Sequence, residues 1–184
     1  MRFKVVPDPP GTVSFVGEVQ AAVPLVPESE DDCCARLMRR CGFDSRDVAR
    51  TWLTFLRAVG LARETDAGFE RTRVEATADH LRTAYLDGVY GAREAAEALL
   101  AARDGDGGSG GGTAPGGVAV DAAFARVRER VPGWERNRTT DWEDVWRERV
   151  GLTLEWFVLL GLATEADGEY AASDELVAIE SRGG

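Results

Sequence analysis

Arginine carries most of the chemistry this sequence offers. Between Arg36 and Arg73 there are nine Arg (36, 39, 40, 46, 50, 57, 63, 71 and 73) against five acids (Asp44, Asp47, Glu64, Asp66 and Glu70). That window is net +4 inside a chain of net charge −10. Arg46, Arg50, Thr54 and Arg57 share one face of a helix whose other face carries Val48, Trp52, Phe55, Leu56 and Val59. A guanidinium on such a face can neutralise a phosphate or bind the outer edge of guanine. Arg63 and Arg71 would reach phosphate or minor groove from a following hairpin. The competing reading is a solvated helix whose Arg pair with nearby acids, Asp47 with Arg50 and Asp44 with Arg46.

Little else in the chain points to chemistry. His80 is the single histidine, and Cys33, Cys34 and Cys41 lie within one helical segment without Cys-x-x-Cys spacing. No nucleophile elbow, paired metal-binding histidines or dinucleotide fingerprint occurs, and the abundant carboxylates form no distinctive pair among apolar residues. No catalytic residue, metal or cofactor is therefore expected, and the chain reads as a non-enzyme. The stretch Asp104–Gly117 has eight Gly but lacks the Gly-Lys-Ser/Thr ending of a phosphate loop. It reads as a flexible loop, because it cannot repay its ordering entropy by burial.

The five tryptophans divide into two groups. Trp52 and Trp156 fall on apolar helix faces and belong to the core. Trp134, Trp142 and Trp146 cluster around the start of a second long helix, with Trp142 and Trp146 four residues apart on one side. One of Trp142 and Trp146 fits the core of the second unit, but both plus Trp134 are more aromatic surface than a small unit hides, which marks the three as a candidate partner interface.

The elements that must position these residues are legible from caps and periodicity. Thr12 or Ser14 starts a first helix, which ends at Pro24, and Arg2–Val6 reads as a short strand. Ser29, followed by Glu30, Asp31 and Asp32, opens a second helix with the apolar stripe Cys34, Leu37, Met38 and Cys41. Gly42 ends it, Phe43-Asp44-Ser45 turns the chain, and the Arg-bearing helix, capped by Asp44 or Ser45, runs to Gly60. Leu61–Glu64 and Phe69–Arg73 read as a hairpin about Asp66-Ala67-Gly68.

This local phrase occurs twice. Phe55–Thr72 recurs, shifted by 101 positions, as Trp156–Ser173, with Gly60, Leu61, Ala62, Glu64 and Asp66 repeated as Gly161, Leu162, Ala163, Glu165 and Asp167. The second hairpin pairs Leu162–Glu165 with Glu169–Ala172 about Asp167-Gly168, and Thr139 or Thr140 caps the helix before it. The expected fold is mainly α with small β-hairpins, α+β overall, in two tandem units. Residues 1–73 form unit one, 74–103 a helical connector with the first helix of unit two, and 118–175 the rest of unit two. Residues 176–184 read as a frayed tail. Through the 101-residue shift, Arg46, Arg50, Thr54 and Arg57 become Arg147, Gly151, Glu155 and Val158. The second copy keeps the buried pattern and loses the basic face, so DNA contact is expected only in the first.

The helix ends "L-x-x-L/V-G-L" at the two joints, each followed by a Gly-aromatic hairpin, resemble the winged helix-turn-helix superfamily over about 45 residues of each half. With 21 Arg, one Lys (Lys4) and net charge −10, the chain also resembles conserved haloarchaeal proteins. On that resemblance the acidity is an adaptation to concentrated salt. Neither a signal-peptide pattern nor a membrane-spanning apolar run is present, so a cytoplasmic protein without membrane association is expected. The resemblance implies two roles, the first being the leading expectation because of the Arg-rich unit one and the second its alternative. One is a transcription regulator binding double-stranded DNA through unit one, with unit two as homodimer or partner module. The other is a tandem winged-helix adaptor that holds protein partners and leaves DNA alone.

Overall fold

The computed structural model describes residues 3–105, 116–137 and 140–183. Most of the Gly-rich segment, and Thr139 as a cap, thus lie outside the described residues. The chain divides into two compact units, Met1–Tyr90 and Gly91–Gly184. Residues 74–90 therefore pack with the first unit, beyond the boundary at residue 73 expected from sequence.

Unit one contains α1 (Ser14–Ala22), α2 (Glu30–Cys41), α3 (Arg46–Ala58), β1 (Ala62–Thr65), β2 (Gly68–Arg71) and α4 (Ala78–Gly88). The Ser29 hydroxyl accepts the Asp32 amide and Ser45 accepts that of Val48, so both α2 and α3 start on side-chain caps. Neither Thr12 nor Ser14 caps α1. They hydrogen-bond each other at 2.9 Å, and Val13 occupies the cap position. The buried face of α3 is Ala49, Trp52, Leu53, Phe55 and Leu56, while Val48 is exposed. Trp52 packs among the rings of Phe15, Phe43 and Phe55 at 5.6–5.7 Å. Chain Pro24–Glu28 runs beside β2, with Glu28 and Phe69 exchanging backbone hydrogen bonds of 3.1 and 2.7 Å.

The reason α4 belongs to unit one is its fit against the end of α3. The Tyr85 and Phe55 rings lie 6.1 Å apart, and His80 Nε2 donates to the Val59 carbonyl at 2.7 Å. A Cβ at Gly88 would overlap the Ala58 carbonyl, so only glycine permits this approach. Of the strand expected at Arg2–Val6, the described residues 3–6 hold one bridge, Phe3 with Val89.

Unit two contains α5 (Ala92–Gly105), α6 (Val120–Arg130), α7 (Gly133–Arg136), α8 (Trp142–Leu159), β3 (Ala163–Ala166), β4 (Glu169–Ala172) and α9 (Asp174–Gly183). The tail expected to fray is a helix. Ser173 accepts the Leu176 amide, Asp174 and Glu175 stand in the first turn, and Leu176 is fully buried. Arg103 and Arg93 hold Asp174 and Glu180 at 2.7 and 3.3 Å. No described helix is long and apolar enough to cross a membrane.

The two joints repeat at atomic detail. Gly60 and Gly161 have φ of 72° and 71°, the left-handed stop of a helix. Leu61 donates to Leu56 and Leu162 to Phe157, each at 2.8 Å. The Thr72 and Ser173 hydroxyls then donate to the Gly60 and Gly161 carbonyls at 2.8 and 2.7 Å. Both hairpins close on two residues: Asp66-Ala67 in the first and Asp167-Gly168 in the second. Asp167 and Gly168 are both left-handed, as a type I′ turn requires.

Candidate functional site

In a helix-turn-helix the two helices meet so that the start of the second projects outward, toward whatever the unit binds. In unit one these are α2 and α3. Arg46 pairs with Asp31 at 3.1 Å, not with the sequence-nearer Asp44. The Arg50 Nε donates to Glu30 at 2.8 Å, and a second nitrogen lies 3.6 Å from Asp47. The hydrogen bond to Glu30, then its charge, raises the Arg50 pKa above its ordinary value. Glu30 and Asp31 stand at the start of α2, Asp47 in the first turn of α3. The sequence shows the first two only as favourable helix-dipole residues behind Ser29. Their second role depends on α2 crossing α3, which no local spacing encodes.

The remaining predicted DNA contacts separate. Thr54 is half-buried. The Arg57 guanidinium lies 5.4 Å from the Phe3 ring centre and 5.3 Å from that of Phe69, and it pairs with Glu64. Arg57 is thereby folded back against its own hairpin. Arg63 pairs with Glu70, and Arg71 donates to the Ala21 carbonyl at 3.3 Å. Arg39, Arg40 and Arg73 are exposed and make no ion pair among the described residues.

Unit two builds the same corner from α6 and α8. Val118 bridges Tyr170 as Glu28 bridges Phe69, so α2 maps onto α6 with a shift of 90, while the hairpins map with a shift of 101. The buried residues agree: Cys33, Cys34 and Leu37 become Ala123, Phe124 and Val127. On this mapping Arg46–Asp31 becomes Arg147–Asp121, and that pair is present at 2.6 Å. The hydrogen bond to Asp121 is the first cause of a raised Arg147 pKa. Glu30 and Arg50, however, become Val120 and Gly151. A Cβ on Gly151 would lie 3.9 Å from a Val120 methyl, ordinary contact, so an open apolar notch replaces the ion pair.

The tryptophan cluster does not form one surface. Trp146 is only 2% exposed, covered by the Arg149 guanidinium 4.8 Å from its ring centre, and is not an interface residue. Helix α8 starts five residues before the equivalent of Arg46, and that extra length carries Trp146 onto the side buried with Val150, Leu154 and Phe157. Trp142 is half-buried, with the Arg128 and Arg136 guanidinium carbons 5.9 and 5.5 Å from its ring centre. Trp134, on α7, is 61% exposed.

Nothing in the described structure adds a reactive centre. Cys33 is buried with its Sγ 3.7 Å from the Glu28 and Phe69 carbonyls, and its thiol is pushed up to about 11 by burial and then by Glu28. Such a thiol is inert at neutral pH. Among the described residues no group of three or more His, Cys, Asp or Glu is placed to hold a metal ion.

Two helix-turn-helix corners, each closed by a hairpin, are the geometry of paired winged helices. The family model described as "Halobacterial double winged helix domain" matches residues 1–176. The chain belongs to this family. The match takes in both hairpins and both helix pairs of this double winged helix protein, so the repeat is a property of the whole domain. No curated protein and no solved structure matches the chain.

Proposed function

We propose that this double winged helix protein is a non-enzymatic, cytoplasmic protein-interaction adaptor built on a fold of DNA-binding type. The observation that carries this reading is the occupancy of the α3 face. Arg46, Arg50 and Arg57 are each engaged within the chain, and the carboxylates that hold the first two, Asp31 and Glu30, face the same solvent. Exposed ion pairs are weak, so a phosphate could displace one. The displaced carboxylate would remain beside the phosphate and repel it. In concentrated salt the Debye length falls to about 3 Å at 1 M, so long-range attraction to DNA is lost as well. In unit two the positions matching Arg46, Arg50, Thr54 and Arg57 are Arg147, Gly151, Glu155 and Val158; the one arginine kept is held by Asp121 and Asp144, and the other three suit a protein surface better than DNA.

The second reading is a DNA-binding transcription regulator working through unit one. It is favoured by Arg39, Arg40 and Arg73, exposed and outside any ion pair among the described residues. Titrating the full chain with labelled duplex DNA across a salt series separates the two. The adaptor reading expects no binding, no salt slope and no effect of an R46A/R50A/R57A variant. It also expects a stoichiometric protein partner to co-purify with the tagged chain. Saturable duplex binding that the triple variant abolishes would establish the regulator instead.

A further inference from the structure

The exchange of Glu30–Arg50 for Val120–Gly151 changes a filled corner into a groove. Unit two carries an open hollow of about 520 Å³ between the start of α6 and the outer face of α8. Val120, Gly151 and Leu152 make its apolar floor, and Asp144, Glu148 and Glu155 line its rim. Asp144, Glu148, Gly151, Glu155 and Val158 follow one another at helical spacing, and Val158 prolongs the apolar line with 39% exposure. The one cation among the described lining residues, Arg147, is committed to Asp121 at 2.6 Å and Asp144 at 2.7 Å. Glu148 and Glu155 are exposed and make no ion pair among the described residues.

We infer that this groove is the docking site for a cationic segment of a partner protein. The segment seats one bulky aliphatic side chain in the notch over Gly151 and sets flanking Arg or Lys against Glu148 and Glu155. The inference rests on the adaptor reading and names its site and the partner's chemistry. The absence of a side chain at residue 151 makes room for an apolar anchor, the kind of contact that dominates small interfaces. The rim carboxylates then select charge: a basic flank is drawn in, and an acidic flank or a phosphate backbone is turned away. Unit one offers no such seat, because the Arg50 side chain and its Glu30 partner fill the place.

The test writes the unit-one pair into unit two. The V120E/G151R variant of the full chain should rebuild the ion pair and close the notch while keeping the helix contact. Probes are fluorescein-labelled amphipathic peptides of about 15 residues, long enough for four helical turns. One carries a central Leu flanked by Arg at helical spacing; two controls replace the Leu by Ala or the Arg by Glu. Fluorescence anisotropy should show saturable binding of the Arg/Leu probe. It should weaken by about tenfold or more for V120E/G151R and for the Ala control, and vanish for the Glu control. E148Q/E155Q, which leaves the floor intact, should weaken binding and flatten its salt dependence, so a poorly folded first variant does not leave the question open. Equal binding by wild type and V120E/G151R, or no binding of the Arg/Leu probe, overturns the site. A concentration-dependent dimer dissolved by V120E/G151R assigns the groove to a second copy and equally overturns it. If a natural partner still co-purifies with V120E/G151R, the adaptor reading stands and only this site fails.

Discussion

At the corner where α2 meets α3, unit one places an acid and an arginine; at the same corner, unit two places valine and glycine. The neighbouring pair, Arg46–Asp31 in one and Arg147–Asp121 in the other, is retained at 3.1 and 2.6 Å. The helix stop, hairpin register and returning hydroxyl bond are retained as well. The units therefore differ by choice of surface on a common frame, and not by drift of the frame. The difference teaches where to look for function. A pair of positions that changes together, from charged and filled to apolar and empty, changes what the corner can hold.

A second contrast concerns the approach to the long helix. Unit two spends eleven more residues between its paired helices, the gap between the shifts of 90 and 101. The described part of this longer connection includes α7 and the added start of α8, and it carries Trp134, Trp142 and Trp146 to different fates. Trp146→Ala empties a fully buried site and should cost about 3–5 kcal/mol of stability. Trp134→Ala, on an exposed ring, should change stability by less than about 0.5 kcal/mol. Urea unfolding of both variants at one salt concentration checks this. Similar losses for the two would show that the inserted segment packs as a whole, and would dissolve the distinction drawn between these rings.

The frame was easier to read from sequence than the surface. Gly60 and Gly161, Ser29 and Ser45, and the alternation of apolar positions on α3 and α8 are local signals, each tied to a backbone requirement within a turn of its own residue. They locate both hairpins within a residue or two. Of the partners of Arg46 and Arg50, only Asp47 was readable, three positions before Arg50; Asp31 and Glu30 lie 15 and 20 positions away and meet the arginines only through a helix crossing. Helix α9 was missed for a related reason. The composition of DELVAIESRG allows fraying, and its order comes from Leu176 in the core and from Arg93 and Arg103 on α5. Trp146 was misassigned because four-residue spacing places it beside Trp142 without saying which of the two faces inward.

If the joints are equivalent, they should respond equally to the same insult. Gly60→Ala and Gly161→Ala each force a Cβ into left-handed backbone and should each cost about 1–2 kcal/mol. A Cβ at residue 60 meets nothing nearer than His80 Nε2, at 4.0 Å, so backbone strain alone is at issue there. Thermal or urea midpoints that move together support one shared joint; a loss confined to one variant would separate the units at the point where they look most alike.

An effect confined to alkaline pH lies beneath the same helix pair, where Cys33 in unit one answers Ala123 in unit two. Burial, then Glu28, Cys34 and Asp32, push the Cys33 thiol from 9.0 to about 11. The unfolded chain therefore gives up this proton near pH 9, and the folded chain holds it until about 11. Across that window the folded state binds more protons, so stability is complete below about pH 9 and falls as pH rises toward 11. Cys34 and Tyr170, also raised by burial, add slopes of the same sign. Cys33→Ala, which copies the unit-two residue, removes one of these contributions and should make the alkaline decline shallower while leaving the neutral plateau in place. Urea midpoints of wild type and variant between about pH 8 and 11 measure it. Parallel declines would show that the thiol loses its proton as readily inside the fold as outside it, against the packing of Cys33 on the Glu28 and Phe69 carbonyls.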